Sequence, residues 1–254
     1  QKKKETFAPI GKVSNRWGWG FVSISVIMIS VLVFIPMIQS FLLSLQSGQG
    51  NQLTFAGLSN YKRMLTDTTF RKALGNTFLY LLVQVPVMII LALFISVLLN
   101  DKKLKCRSFF RIAIFLPCVT SLVSYSLIMK SIFSSDGLVN QMLMAMHLIS
   151  EPIGWTTSPA FAKALIIISI TWRWTGYNMI FYLSGLQNID PSIYEAAELD
   201  GCNGFQKFFK IIVPQLKPII LFTTITSTIG TLQLFDEVKN ITDGGPANTT
   251  LTIS

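Results

Sequence analysis

The stretch WGFVSISVIMISVLVFIPMIQSFLLSL, Trp19–Leu45, contains no charged side chain. It is longer than the approximately 20 apolar residues that cross about 30 Å of hydrocarbon, so it reads as a membrane-spanning helix, kinked at Pro36. The apolar core of a cleaved signal peptide runs about 7–15 residues, which favours a retained anchor here. Upstream, QKKKETFAPIGKVSNR is basic and lacks an apolar face, and residues 1–17 read as a cytoplasmic tail. The whole chain agrees with a membrane setting: of 254 residues, 51% are hydrophobic and 13% charged, whereas about a quarter of a soluble domain is charged.

Four further spans are expected, at about residues 73–100, 112–129, 164–186 and 218–235, with Pro86 and Pro117 inside the first two of these. The spans are long and apolar rather than alternating, and only helices or closed barrels satisfy their backbone in lipid. The fold class is therefore all-α, a polytopic transmembrane helical bundle. Leu251-Thr-Ile-Ser reads as the start of another apolar helix, so a sixth span is expected after the end of the sequence. Lys and Arg number five in the tail, five in residues 101–111 and three in residues 187–217, against four, two and one in the intervening segments. That bias places the N-terminus and residues 187–217 in the cytoplasm. The net charge of +9 thus marks topology rather than phosphate contacts, and no nucleic-acid partner is indicated. Cys106, Cys118 and Cys202 have the spacing of neither a disulfide framework nor a metal site.

Between the last two spans lies YEAAELDGCNGFQKFFKIIVPQLKP, Tyr194–Pro218. Asp190-Pro191 reads as an N-cap followed by proline in the first turn, where its missing N–H costs nothing. Glu195-Ala196-Ala197-Glu198 propagates a short helix, and Gly201 supplies the left-handed conformation that ends it. Phe205, Phe208, Phe209 and Ile212 recur at helical spacing and are expected to hold the segment against the base of the next span. Its carboxylates are read either as contacts for a partner or as the solvated face of an ordinary surface helix.

The span at 164–186 carries the best ligand signal. At 100° per residue Trp174, Tyr177, Asn178 and Phe181 fall on one face, Arg173 lies at its edge, and Trp172 points the other way. Aromatic faces with an interleaved amide suit sugars, whose C–H faces stack on rings while their hydroxyls take hydrogen bonds. Helix packing with an aromatic belt is the alternative, although belts sit at interfaces and this cluster is near mid-span. In the last span Thr223, Ser227 and Gly230 are read as permitting close helix approach, and Gln233 as reaching the pathway. Ser121, Ser124 and Tyr125 are weaker candidates of the same kind.

The run Tyr194–Gly201, followed by Phe208, Ile211 or Ile212, Pro214 and Pro218, resembles the EAA loop of permease subunits of ATP-binding-cassette importers. The resemblance is closest to the binding-protein-dependent sugar permeases of the maltose permease first-subunit type. FAGLSNYKRMLTD, FRKALGNTFLY, FFRIAIFLP, Asp136-Gly137-Leu138-Val139-Asn140, GLQNIDPSIYEAA and TDGGPANTT continue it from about Leu53 onward. Cys202 departs from the family, which usually has alanine there. The resemblance implies a multi-pass subunit of a prokaryotic cell membrane, in contact with lipid, that carries a sugar, and especially an oligosaccharide. It implies a second homologous permease, two ATP-binding subunits that hold ATP and Mg, and an extracytoplasmic solute-binding protein. Glu195, Ala196, Ala197, Glu198, Asp200 and Gly201 would couple this chain to the ATPase, with the alanines and glycine permitting close approach. Arg173, Trp174, Tyr177, Asn178, Phe181 and Gln233 would line the substrate pathway. Arg173 is costly inside a bilayer, and no acid lies within the five spans, so its partner is expected from the second permease, the ligand or a water. A permease for a polyol, glycerol phosphate or amino acid is the alternative within the class, and an uncoupled channel or structural membrane protein the alternative outside it.

Enzymatic readings find little support. Gly11-Lys12-Val13-Ser14 lacks the spacing and preceding strand of a P-loop, so this chain is expected to bind no cofactor of its own. His147 has no companions for a metal site or a triad, and no paired acids lie within the spans.

Overall fold

The computed structural model describes residues 12–50, 52–101 and 103–254, so most of the basic tail lies outside the described residues. The chain divides into two units, at residues 1–67 and 68–254.

The first unit opens with helix α1, Lys12–Ile29, and continues through a π-helical turn, Ser30–Phe34, into α2, Ile35–Ser44. Pro36 has no N–H to donate, and the ladder widens just ahead of it: the Ile35 N–H donates five residues back, to the Ser30 carbonyl. No residue from Gly18 to Ser44 is buried, as suits a helix whose apolar side chains meet lipid. The stretch between the first two expected spans carries regular structure. Strands β1, Gln46–Gln49, and β2, Gln52–Phe55, pair antiparallel with Gln46 opposite Phe55, and α3, Ser59–Thr66, follows. Asn60 Nδ2 donates to the Ser44 and Gln46 carbonyls at 2.9 and 2.7 Å, tying α3 back to the end of α2.

The second unit is built on two long helices, α4, Thr68–Asn100, and α8, Pro159–Gln187. With 33 and 29 residues they measure about 50 and 43 Å, each more than the hydrocarbon thickness. They lie alongside each other for much of their length, and α5, Arg107–Val119, and α12, Lys217–Leu232, pack on α8. The run 18–44 and α4 are apolar and long enough to cross a membrane as single helices.

Residues 112–129, expected as one span, are instead two helices. Helix α5 and helix α6, Leu122–Ile132, meet at a bend of 106°. Pro117 withdraws a donor from the end of α5, and Thr120 and Ser121 adopt extended ψ angles of 151° and 137°, which end one helix and start another. Helix α7, Leu138–Ala145, lies between the third and fourth expected spans. Its Asn140 is fully buried and binds five groups, among them the Ile153 N–H and carbonyl and the Trp155 indole N–H, so it organises the polar turns around it.

Two apolar clusters hold this unit. One gathers Tyr80, Tyr125, Phe133, Trp155, Ile166 and Ile170 with Leu234, Val238 and Ile241. The other gathers Ala92, Leu93, Leu99, Met179, Tyr182, Leu186, Ile212 and Leu216. The last expected span ends earlier than 235, at Leu232, and is followed by a short helix α13, Asp236–Ile241, that packs on α6. Leu251–Ser254, expected to begin a helix, is not helical. It lies across α4, where Asn76 Nδ2 donates to the Thr249 and Leu251 carbonyls at 2.8 and 2.9 Å.

Candidate functional site

Between the two apolar clusters α4, α8, α12 and α13 line a half-open cavity of about 340 Å³. Arg173, Trp174, Tyr177 and Gln233, all expected on the pathway, line it together with Gln84, Met88, Ser227 and Thr231. The rings form a continuous ladder: Trp174 and Tyr177 have centroids 5.7 Å apart, Tyr177 and Phe181 5.0 Å, and Phe181 and Phe222 of α12 5.6 Å. Phe181 extends the ladder without lining the cavity. Trp172 does face elsewhere and stacks on Tyr125 at 6.0 Å.

Asn178 lies behind the wall rather than on it. It is fully buried, and its Nδ2 donates to the Trp174 carbonyl at 3.1 Å, Met88 Sδ at 3.3 Å and Ser227 Oγ at 3.4 Å, so it knits α8 to α4 and α12. Of the small residues on α12, Thr223 is buried and meets Tyr182, whereas Gly230 has open space around it and borders the cavity. Close helix approach is made by Gly176 instead, where a Cβ would fall on the backbone of Ile114 and Phe115 in α5.

Several cavity residues were not expected from the sequence. Gln84 is buried on α4 and accepts from Thr231 Oγ1 at 2.9 Å. Asp236 and Glu237 of α13 also line the cavity, so acids of this chain do share a space with Arg173. Among the described residues no ion pair joins either acid to it. The guanidinium lies over the Tyr125 and Trp174 rings, 5.1 and 5.8 Å from their centroids.

The segment joining α8 to α12 begins with α9, Pro191–Leu199. The Asp190 carboxylate accepts from the Ser192 N–H at 2.9 Å, and that bond holds its pKa below the usual carboxylate range. At the other end Gly201 takes φ +73° with nothing within 4 Å of a notional Cβ, so the backbone conformation, and not a close neighbour, calls for glycine. The Gly201 and Cys202 N–H groups close on the Glu198 and Ala197 carbonyls at 3.1 and 2.9 Å, a Schellman end. Asn203 and Gln206 then form a reciprocal capping box for α10, Gly204–Lys207. A π-helical turn, Phe208–Ile212, and α11, Val213–Gln215, lead to a 71° bend into α12.

Lys207 Nζ reaches Glu198 Oε1 at 2.7 Å, clasping α10 to α9 and lowering the Glu198 pKa. Ala197 is buried, whereas Glu195, Ala196 and Asp200 are exposed. Phe208 and Tyr194 pack against the cluster of Tyr182, Leu186 and Leu216, but Phe205 and Phe209, expected as anchors, are 73% and 53% exposed, and Leu199 is 90% exposed. The segment therefore exposes Leu199 and the paired rings of Phe205 and Phe209, 4.6 Å apart, as well as the carboxylates of Glu195 and Asp200.

A predominantly helical membrane bundle with a half-open cavity, and with a capped polar segment between two cavity-wall helices, has the build of a transport subunit. Residues 106–254 match the family described as binding-protein-dependent transport system inner membrane component, and the chain belongs to that family. It is 57% identical over 239 residues to the lactose transport system permease protein LacF of Rhizobium radiobacter, covering 93% of this chain and 80% of the relative. It is 33% identical over 270 residues to the arabinooligosaccharides transport system permease protein AraP of Bacillus subtilis, covering 99% and 84%. Its fold matches a chain of the crystal structure of a bacterial ABC transporter involved in the import of the acidic polysaccharide alginate. That match has a TM-score of 0.77 at 22% identity and covers 94% of this chain and 80% of the other.

Proposed function

We propose that this chain forms one half of the translocation pathway of an ATP-binding-cassette importer for a sugar, an oligosaccharide in particular, and transmits the motion of the ATPase subunits to that pathway. One observation carries the reading: the segment 188–216 connects α8 and α12, the two helices that carry the aromatic ladder and the hydroxyl-bearing wall of the same cavity. A displacement of the segment moves both walls.

Trp174 and Tyr177 supply ring faces for stacking, and Gln84, Ser227, Thr231 and Gln233 supply donors and acceptors for sugar hydroxyls. Leu199, Phe205 and Phe209 dock in a cleft of an ATP-binding subunit, with Glu195 and Asp200 making polar contacts at the rim. Ala197 lets α9 sit close to its own base, and Gly201 fixes the turn. The proposed assembly contains a second homologous permease, two ATP-binding subunits that hold ATP and Mg, and an extracytoplasmic binding protein. The N-terminus and the segment face the cytoplasm. Loaded binding protein and ATP together favour an outward-open state, and hydrolysis restores the inward one. The relatives named for lactose and arabinooligosaccharides support a saccharide substrate.

The test is uptake of radiolabelled lactose and of an arabinotriose into proteoliposomes that hold the complete transporter, with binding protein outside and ATP inside. Accumulation of either sugar that requires both ATP and binding protein is expected. Flux that is independent of ATP overturns coupling, and ATP-driven uptake of neither sugar overturns the saccharide reading.

A further inference from the structure

Glu237 and Arg173 face one cavity as unspent opposite charges. Glu237 is 6% exposed and has no hydrogen-bond or ion-pair partner among the described residues. Arg173 keeps Nε and Nη1 enclosed and without hydrogen-bond partners, while the face of its guanidinium is taken by Tyr125 and Trp174. An enclosed charge without a partner is costly, as for Arg173, and the Glu237 carboxylate opens onto the same space from a different element, α13.

The chemistry of the missing partner follows from what each group still needs. A guanidinium N–H needs an acceptor, and a carboxylate needs a donor. An anionic ligand satisfies Arg173 alone and meets repulsion from both Glu237 and Asp236 on the same wall. A cationic ligand satisfies the acids and is repelled by Arg173. A neutral polyhydroxyl ligand satisfies both, since one hydroxyl oxygen accepts from Arg173 while a neighbouring hydroxyl donates to Glu237.

Resting on the saccharide reading above, we infer that Arg173 and Glu237 are the two arms of a hydroxyl clamp that selects neutral saccharides and rejects sugars carrying a carboxylate, such as uronates. Glu237 is thereby a specificity-determining residue of the pathway, with Asp236 adding to the rejection. Trp174 lies beside the clamp, where a sugar ring gripped by its hydroxyls presents its C–H face.

The experiment is equilibrium binding of radiolabelled lactose and of digalacturonate to the purified complete transporter without binding protein, with intact assembly checked by size-exclusion chromatography. The unmodified transporter is expected to bind lactose at least tenfold more tightly than digalacturonate. Glu237→Gln weakens lactose binding about tenfold and narrows the gap to digalacturonate, because a neutral amide no longer repels the acid. Arg173→Gln weakens lactose binding about tenfold and leaves digalacturonate rejected. Glu237→Asp keeps the charge and therefore the rejection while losing reach to lactose, and it carries the test if Glu237→Gln does not assemble. Lactose binding unchanged within twofold in both Glu237→Gln and Arg173→Gln overturns the clamp and leaves the saccharide reading intact. Equal binding of digalacturonate and lactose by the unmodified protein overturns the selection. Binding of neither sugar overturns the clamp together with the reading on which it rests.

Discussion

The Tyr182 and Thr223 hydroxyls lie 2.6 Å apart, fully enclosed, and join α8 to α12. One turn further along each helix, Asn178 Nδ2 reaches Ser227 Oγ at the back of the cavity wall, and in the other direction the chain leaves both helices for the segment 188–216. The pair therefore stands between the proposed point of force and the proposed point of binding.

Its two hydroxyls are not equally dependent on each other. Thr223 Oγ1 is also within 3.0 Å of the Ile219 and Ile220 carbonyls, whereas the Tyr182 hydroxyl has no other partner among the described residues. Thr223→Val leaves a buried phenol unsatisfied and is expected to cost about 1–2 kcal/mol, more than Tyr182→Phe at about 0.5–1 kcal/mol. Thermal unfolding of the purified complex, with the double variant closing a cycle, checks the order. Equal losses from the two single variants contradict it.

Gly176→Ala pushes a methyl onto the α5 backbone, and overpacking of that kind costs about 1–3 kcal/mol. Recovery of monodisperse complex is expected to fall severalfold. Gly230→Ala, with nothing within 4 Å, is expected to assemble normally. Comparable recovery of the two variants contradicts the placement of α5 on α8.

The Lys207–Glu198 clasp carries a pH dependence of known sign. Lys207 lowers the Glu198 pKa, so the contribution of the pair is complete above the ordinary carboxylate range, about 4.3, and is lost as pH falls through the lowered folded value. A spin label on Cys202, in a background with Cys106 and Cys118 replaced by serine, is expected to stay immobilised from neutral pH down to that range and then gain mobility. Lys207→Gln is expected to show the mobile spectrum throughout. A label that loosens between pH 6 and 8 contradicts the assignment.

Tyr177→Ala and Trp174→Ala remove stacking faces from the cavity and are expected to lower kcat/KM for lactose uptake about tenfold each. Trp172→Phe, on the opposite side of α8, is expected to stay within twofold. Equal effects of all three contradict the cavity as the pathway.

What was legible in the sequence follows the range of the forces involved. The helix start at Asp190-Pro191 and the stop at Gly201 are local chemistry, and both are where the residues place them. The face shared by Trp174, Tyr177 and Phe181 follows from helical period alone. Asn178 shares that period, yet it points into the seam with α4 and α12, because the cavity opens over a narrower arc than the stripe covers. Phe205 and Phe209 have the spacing of anchors, and spacing is silent on whether this chain or a partner fills the space they face. The break at Thr120-Ser121 rests on two extended residues beyond Pro117 that hydropathy does not register. Glu237 was invisible for a different reason: it follows the last apolar run, and only the turn after Leu232 brings it to the cavity that Arg173 also lines, although half of α8, the connecting segment and the whole of α12 separate them in sequence.

The central claim is that segment 188–216 transmits ATPase motion to the cavity, and the most direct test measures ATP hydrolysis and lactose uptake together in proteoliposomes of the complete transporter carrying Gly201→Asp. At φ +73° a side chain strains the turn and the added carboxylate enters the docking patch, so an assembled complex that has lost uptake about tenfold or more relative to its hydrolysis is predicted. An assembled Gly201→Asp complex whose uptake per ATP matches the unmodified transporter contradicts the account.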